Sequence, residues 1–250
     1  MSLLTLTEFL LPAMVFAGAA LQIAGGLGFG VVAGPALVAC LGPTSGIQAS
    51  IILNIGVAIF GWLAGRKDVR YDAIRPMVPG ILIGTLSGLT ATLLTPEWLI
   101  KIVMCGSLGW ICLLPHIRQN PCPPEAKETF KFSVTSGIMG GALAIPGPAA
   151  AVYLRKVITS PKALRNSMMP LLTFAYILTG FILFTSQGIT EEALSTSFKT
   201  FPAAIAGLIT GTLIVTRISE ATLERVTQVI LLATFTSLAI ITTGDIAVLL

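Results

Sequence analysis

The sequence predicts an all-α polytopic membrane protein made of two inverted repeats, each a broken, re-entrant helical hairpin followed by three transmembrane helices. Three observations lead there: too little charge for a water-facing surface, a glycine- and proline-rich apolar stretch opening each half, and basic residues gathered in alternate loops. Of 250 residues, 54% are hydrophobic and 10% are charged, with a mean hydropathy of +0.91. A soluble domain carries about 25% charged residues, so water cannot be the only solvent.

A helix needs about 20 apolar residues to cross a bilayer. Stretches 45–64, 73–94 and 97–115 meet this in the first half, residues 1–115, and stretches 166–186, 198–216 and 225–244 meet it in the second half, residues 132–250. Residues 116–131 join the halves as a linker. Two further apolar stretches are interrupted. Residues 9–41 contain Gly18, Gly25, Gly26, Gly28, Gly30, Gly34 and Pro35; residues 132–154 contain Gly137, Gly140, Gly141, Pro146, Gly147 and Pro148. Such residues release backbone groups from the helical ladder, which a membrane tolerates only where protein or a water-filled cavity re-satisfies them. Both stretches are therefore expected to be broken hairpins.

The halves are related. Gly34-Pro35-Ala36 recurs as Gly147-Pro148-Ala149, Pro43 and Gln48 recur as Pro161 and Asn166, and Pro79, Gly84 and Gly88 recur with the same spacing as Pro202, Gly207 and Gly211. An ordered series of this kind indicates a duplicated unit. Charge then selects the topology. If the hairpins re-enter, six helices cross, and Arg66, Lys67, Arg70, Arg75, Arg118, Lys127, Lys131, Arg155, Lys156, Lys162, Arg165, Arg217 and Arg225 share one side, with only Lys101 and Lys199 opposite. The positive-inside rule makes that crowded side cytoplasmic, including the linker, and both termini non-cytoplasmic. If the hairpins crossed fully, the bias would vanish. Three crossings per half is odd, so the second half enters from the opposite face and the repeat is inverted. A bacterial inner-membrane type of protein follows. The basic clusters beside apolar runs are membrane-facing loops and not a nucleic-acid surface.

No Asp, Glu, Lys or Arg lies deep in a span, which argues against a cation pump. Helix N-termini can hold an anion with no buried cation, through free N–H groups and the positive end of the dipole. Gly25, Gly26, Gly28 and Gly30 are candidates for such a cradle. Residues 144–148 are its counterpart; because Pro146 and Pro148 lack N–H groups, Gly147 and Ala149 would be the donors. Tight helix packing is the competing reading of these glycines, and the preferred one for Gly80, Gly84, Gly88, Gly207 and Gly211. Gln22, Gln48, Ser50 and Asn54, with Asn166, Ser167, Thr173 and Tyr176, are candidate hydrogen-bonding groups, Gln48 and Asn166 being equivalent by the repeat. Helix caps and interhelical bonds are the alternative use of these side chains. Arg165 can pair with an oxyanion or serve as ordinary positive-inside charge. His116 and the tryptophans Trp62, Trp98 and Trp110 suit interfacial positions. Cys40, Cys105, Cys112 and Cys122 have no metal or redox spacing, and neither a metal nor a cofactor is expected.

The series Gly25-Gly26-Leu27-Gly28-Phe29-Gly30, Gly34-Pro35-Ala36-Leu37, Gly42-Pro43 and Gln48-Ala49-Ser50, repeated as Gly140-Gly141-Ala142-Leu143-Ala144-Ile145-Pro146-Gly147-Pro148, Ser160-Pro161 and Arg165-Asn166-Ser167, resembles the sulfite exporter TauE/SafE family. The resemblance covers residues 15–245. It implies transport of sulfite, sulfonates or related organic anions. The expectation is a secondary carrier working by alternating access, with an anion channel as the alternative. An enzyme would need a nucleophile with its base or a metal constellation, and one histidine without deep carboxylates supplies neither. The expected partners are a small anion and the lipid bilayer; a homodimer is compatible, and the coupling ion stays open.

Overall fold

A computed structural model describes residues 3–113, 124–215, 217 and 220–249, and among these the regular structure is all helical. Its long elements are α1 (Leu3–Gly25), α2 (Phe29–Gly65), α4 (Val78–Leu93), α5 (Glu97–Leu113), α6 (Ala126–Leu143), α7 (Gly147–Val157), α8 (Pro161–Gln187), α9 (Glu191–Ile214) and α10 (Glu220–Leu249). Between α2 and α4 run two 3-10 turns, Arg66–Asp68 and Arg75–Met77, and the one-turn helix α3 (Tyr71–Ile74). Prolines set several starts. Pro76 lies in the second 3-10 turn and Pro79 in the first turn of α4, so the regular helix of the predicted stretch 73–94 begins at Val78. The first turn of α8 carries Pro161, with Ser160 Oγ accepting from Ala163 N as its cap. The charged residues Lys127, Glu128 and Lys131, placed in the linker by composition, form the first turns of α6. His116, Arg118 and Cys122 lie outside the described residues.

Both interrupted stretches are broken, each into a long arm and a short returning arm. In the first, α1 has 23 residues, about 34 Å. The chain turns at 26–28 and comes back as 29–41, about 20 Å long. Gly42 then holds φ +78°, a left-handed value that glycine adopts without strain. The chain doubles back there. A β-carbon on Gly46 would lie 2.5 Å from Val38 Cα, and one on Gly34 would lie 3.3 Å from Ser50 Oγ. In a straight helix residues eight apart would be about 12 Å apart. α2 is therefore two antiparallel arms, 29–41 and 43–65. In the second half, α6 of 18 residues is followed by a turn at 144–146, then α7 of 11 residues, then α8.

Glycine stripes decide how the helices pack. α4 presents Gly80, Gly84 and Gly88 to Ser133, Val134, Gly137, Ile138 and Gly141 of α6, and the two helices run parallel. α9 presents Gly207 and Gly211 to Phe16, Ala19, Ala20 and Ile23 of α1, also parallel. Each long hairpin arm is thus seated on a helix of the other half. The second arm of α2 runs antiparallel to α8, with Gly65 against Asn166, Gly61 against Met169, and Ile51 and Ile55 against Gly180. Small residues let backbones approach without a hydrophobic drive, which lipid does not supply between helices.

The outward side chains are apolar, among them Phe181, Phe198, Val229 and Ile240, each more than 60% exposed. Among the described residues four helical segments (Phe29–Asp68, which contains the reversal at Gly42, Tyr71–Leu93, Pro161–Gln187 and Glu191–Ile214) are long and apolar enough to cross a membrane, and 9–25 and 225–240 are shorter apolar helices. A water-soluble helix bundle would expose polar faces instead; this surface suits hydrocarbon.

Gly84→Val should destabilise the fold by about 1–3 kcal/mol through overpacking, because its β-carbon would meet Val134 O at 2.2 Å. Gly56→Ala, with open space around its β-carbon, should leave stability nearly unchanged. Thermal unfolding in detergent compares the two, and an equal response would refute the packing role of the stripe.

Candidate functional site

The two breaks are built the same way. α1 ends with Gly26 at φ +81°, its N–H bonded to Gln22 O at 2.9 Å; α6 ends with Ala144 at φ +56°, its N–H bonded to Gly140 O at 3.0 Å. The Ala144 bond is that of an αL-type helix end, and Ile145 N adds a wider bond back to Met139 O at 3.1 Å. New helices then begin at Phe29 and Gly147. Gln22 Oε1 accepts from Phe29 N at 3.2 Å, and Ser136 Oγ donates to Pro146 O at 2.7 Å. Each break is thus held by a side chain from the helix before it.

These breaks meet. A β-carbon on Gly30 would fall 2.7 Å from Ala144 O and 2.8 Å from Tyr176 Oη, and one on Gly147 would fall 2.4 Å from Leu27 Cδ2. Leu172 and Tyr176, near the middle of α8, flank the meeting point. Continuing the antiparallel register of the α2 arms from Val38–Gly46 and Gly34–Ser50 brings Asn54 level with Gly30. Gln22, Gly26, Gly28, Gly30, Ser50, Asn54, Gly147, Ala149, Thr173 and Tyr176 are all buried, whereas Gly25 is exposed on the rim.

Two of these side chains keep an unpartnered atom. Asn54 Nδ2 donates to Ser50 O at 3.0 Å and to Ser50 Oγ at 3.3 Å, while its Oδ1 has no partner; Gln22 Nε2 has none either. Unpartnered polar atoms at 0% and 1% exposure are uncommon in proteins and call for an explanation. Thr173 Oγ1 is satisfied on its own helix by Met169 O at 2.9 Å. Among the described residues every buried polar side chain is an amide or a hydroxyl, and no three His, Cys, Asp or Glu groups cluster as metal ligands.

The remaining candidates stand elsewhere. Gln48 donates to Gly188 O at 3.0 Å and accepts from Thr190 N at 2.8 Å and Thr190 Oγ1 at 3.0 Å, tying α2 to the α8–α9 loop. Asn166 donates to Asp68 Oδ2 at 3.3 Å, and Ser167 Oγ accepts from Arg70 N at 2.9 Å, tying α8 to the loop after α2. Lys162 joins Asp68 at 3.0 Å. The two amides that the repeat makes equivalent therefore sit at opposite ends of the bundle. Arg165 is half-buried at the start of α8, its Cα beside Gly26. Asp68, Ser136 and Thr190 carry no sequence signal that singles them out; Asp68 and Thr190 are chosen by partners distant in sequence, and Ser136 by Pro146 across the break. An open cavity of about 150 Å³ lies at the Gln48 end, lined by Thr44, Thr92, Glu97, Gly141 and Gln187 among others, just beyond the second break.

The Gly-Pro-Ala repeat is displaced in three dimensions. Gly147-Pro148-Ala149 opens α7, but Gly34-Pro35-Ala36 lies inside the returning arm 29–41. Structurally, Gly26 matches Ala144 and Phe29 matches Gly147, a separation of 118 residues that Pro43–Pro161 and Gln48–Asn166 share.

Neither a comparison with curated proteins nor one with solved structures gave a match. The family model described as "Sulfite exporter TauE/SafE" matches residues 10–238. With its glycine-held bundle of apolar helices and two meeting breaks, the chain belongs to the sulfite exporter TauE/SafE family, a family of membrane transporters and not of enzymes.

Proposed function

We propose that this chain is a secondary carrier for a small sulfur-containing anion, sulfite or an organosulfonate, which it holds between the two helix breaks. The observation that carries this reading is the pair of helix starts, Phe29 and Gly147, brought together in the middle of the bundle beside two buried amides with unpartnered atoms. Helix starts favour negative charge through their free N–H groups and dipoles. Gly28, Gly30, Gly147 and Ala149 would offer backbone, and Gln22, Asn54, Ser50, Thr173 and Tyr176 would line the space, with Gly25, Gly26 and Arg165 at its rim. Gln48, Asn166 and Ser167 then act on the substrate's path by closing its two ends.

The repeat is read as inverted. An in-plane two-fold axis reverses the direction of a helix, and the matched helices, the second arm of α2 and α8, run antiparallel in contact. The exchanged pairs α1–α9 and α4–α6 fit the same axis. With the basic loops cytoplasmic, both termini are non-cytoplasmic, and the membrane is of the bacterial inner type. Alternating access would open the Gln48–Thr190 tie at one face and the Asn166–Asp68 tie at the other in turn. Ties at both ends favour a carrier over a channel.

Two outcomes are expected. In liposomes carrying the purified chain, sulfite uptake should saturate and show counterflow, and Gly30→Val should lower the initial rate about tenfold or more while Gly56→Ala does not. Discrete single-channel currents without counterflow would refute the carrier. Cysteines placed at 66–70 and at 158–160 should be labelled from the same, cytoplasmic side; labelling from opposite sides would end the inverted-repeat reading.

A further inference from the structure

The interior where the breaks meet offers hydrogen bonds of both senses but little charge. Gln22 commits Oε1 to a backbone N–H, so its spare atom is the donor Nε2; Asn54 commits Nδ2 to a backbone carbonyl, so its spare atom is the acceptor Oδ1. These orientations are fixed by the bonds made, because an N–H requires an acceptor and a C=O requires a donor. A ligand that reaches both side chains would therefore accept from Gln22 Nε2 and donate to Asn54 Oδ1. A fully deprotonated oxyanion has nothing to donate.

Charge points the same way. The two helix starts together supply about one elementary positive charge, and Pro146 and Pro148 remove donors from the second. No buried side chain among the described residues is charged, and Arg165 stands at the rim. Desolvating an ion rises steeply with its charge, so a second negative charge would find no compensation. Resting on the carrier reading above, we infer that the species carried is a monoanion bearing its own O–H or N–H, of the hydrogensulfite type, and that the dianion is excluded.

The test uses the full chain in liposomes, with flux into protein-free liposomes subtracted. Four probes are compared: sulfite, sulfate, methanesulfonate and 2-hydroxyethanesulfonate. At fixed total sulfite, uptake should follow the protonated fraction and fall about tenfold per pH unit once that fraction declines. Methanesulfonate, which does not titrate there, should show a flat profile, and sulfate should not be carried. The hydroxyl-bearing sulfonate should exceed methanesulfonate about tenfold, and Asn54→Leu should lower its uptake to the methanesulfonate level. Sulfate carried as well as sulfite, or sulfite uptake rising with pH, would overturn the inference and leave the carrier standing. Uptake of none of the four would sink the carrier itself. Should Asn54→Leu fail to fold, the pH series and sulfate exclusion of the unaltered chain decide alone.

Discussion

Within hydrocarbon, a peptide N–H or C=O without a partner costs several kcal/mol, so a chain crossing a bilayer keeps its backbone in helices wherever it can. This protein departs from that twice, at 26–28 and at 144–146, and much of its packing answers those two departures. Each break shelters the other: Gly30 allows an approach to Ala144 O that a side chain would block, and Gly147 seats the end of Leu27. Gln22 caps Phe29, and Ser136 supplies Pro146 O. What these local repairs leave over, Gln22 Nε2 and Asn54 Oδ1, is what a polar ligand would find. The proposed site and the structural solution are therefore the same feature seen from two sides.

Sheltering one break with the other requires the halves to interlock. The long arm of each hairpin packs on a helix of the opposite half, α1 on α9 and α6 on α4, through backbone contacts at glycine. Contacts of that closeness resist sliding by less than a whole helical turn, since the next residue along is larger. A shift of α4 would therefore carry α6, and with it the second break. The glycine stripes and the breaks, separate in sequence, are mechanically one system.

Much of this was legible in the sequence. Broken hairpins could be read because glycine and proline at that density cannot maintain a helical ladder, and the packing role of Gly84 and Gly207 followed from four-residue spacing. The Gly-Pro-Ala match was misleading in detail, because the break is set by Gly26 and Ala144, and a left-handed alanine leaves no mark in sequence. Proline at 35 is accommodated inside a helix, whereas Pro148 starts one. The fates of Gln48 and Asn166 were hidden for a different reason. An amide facing a loop from the other half looks, in sequence, like an amide facing a substrate, and only the fold distinguishes Thr190 and Asp68 as their partners.

Those two ties are equivalent in position and unequal in chemistry. Thr44 and Gln48 stand where Lys162 and Asn166 stand in the second half, each pair 118 residues apart. Gln48 is fully buried and makes three hydrogen bonds, to the exposed Gly188 and the half-buried Thr190. Asp68 is tied through Lys162, whose side chain is 65% exposed, and an exposed ion pair contributes about 0–1 kcal/mol and is screened by salt. The Gln48–Thr190 tie is therefore neutral, whereas the tie at the basic end includes an ion pair beside its hydrogen bonds. Under the proposed orientation Lys162 would both count toward the positive-inside bias and belong to the tie that salt weakens, so salt would act on the closure at the cytoplasmic end.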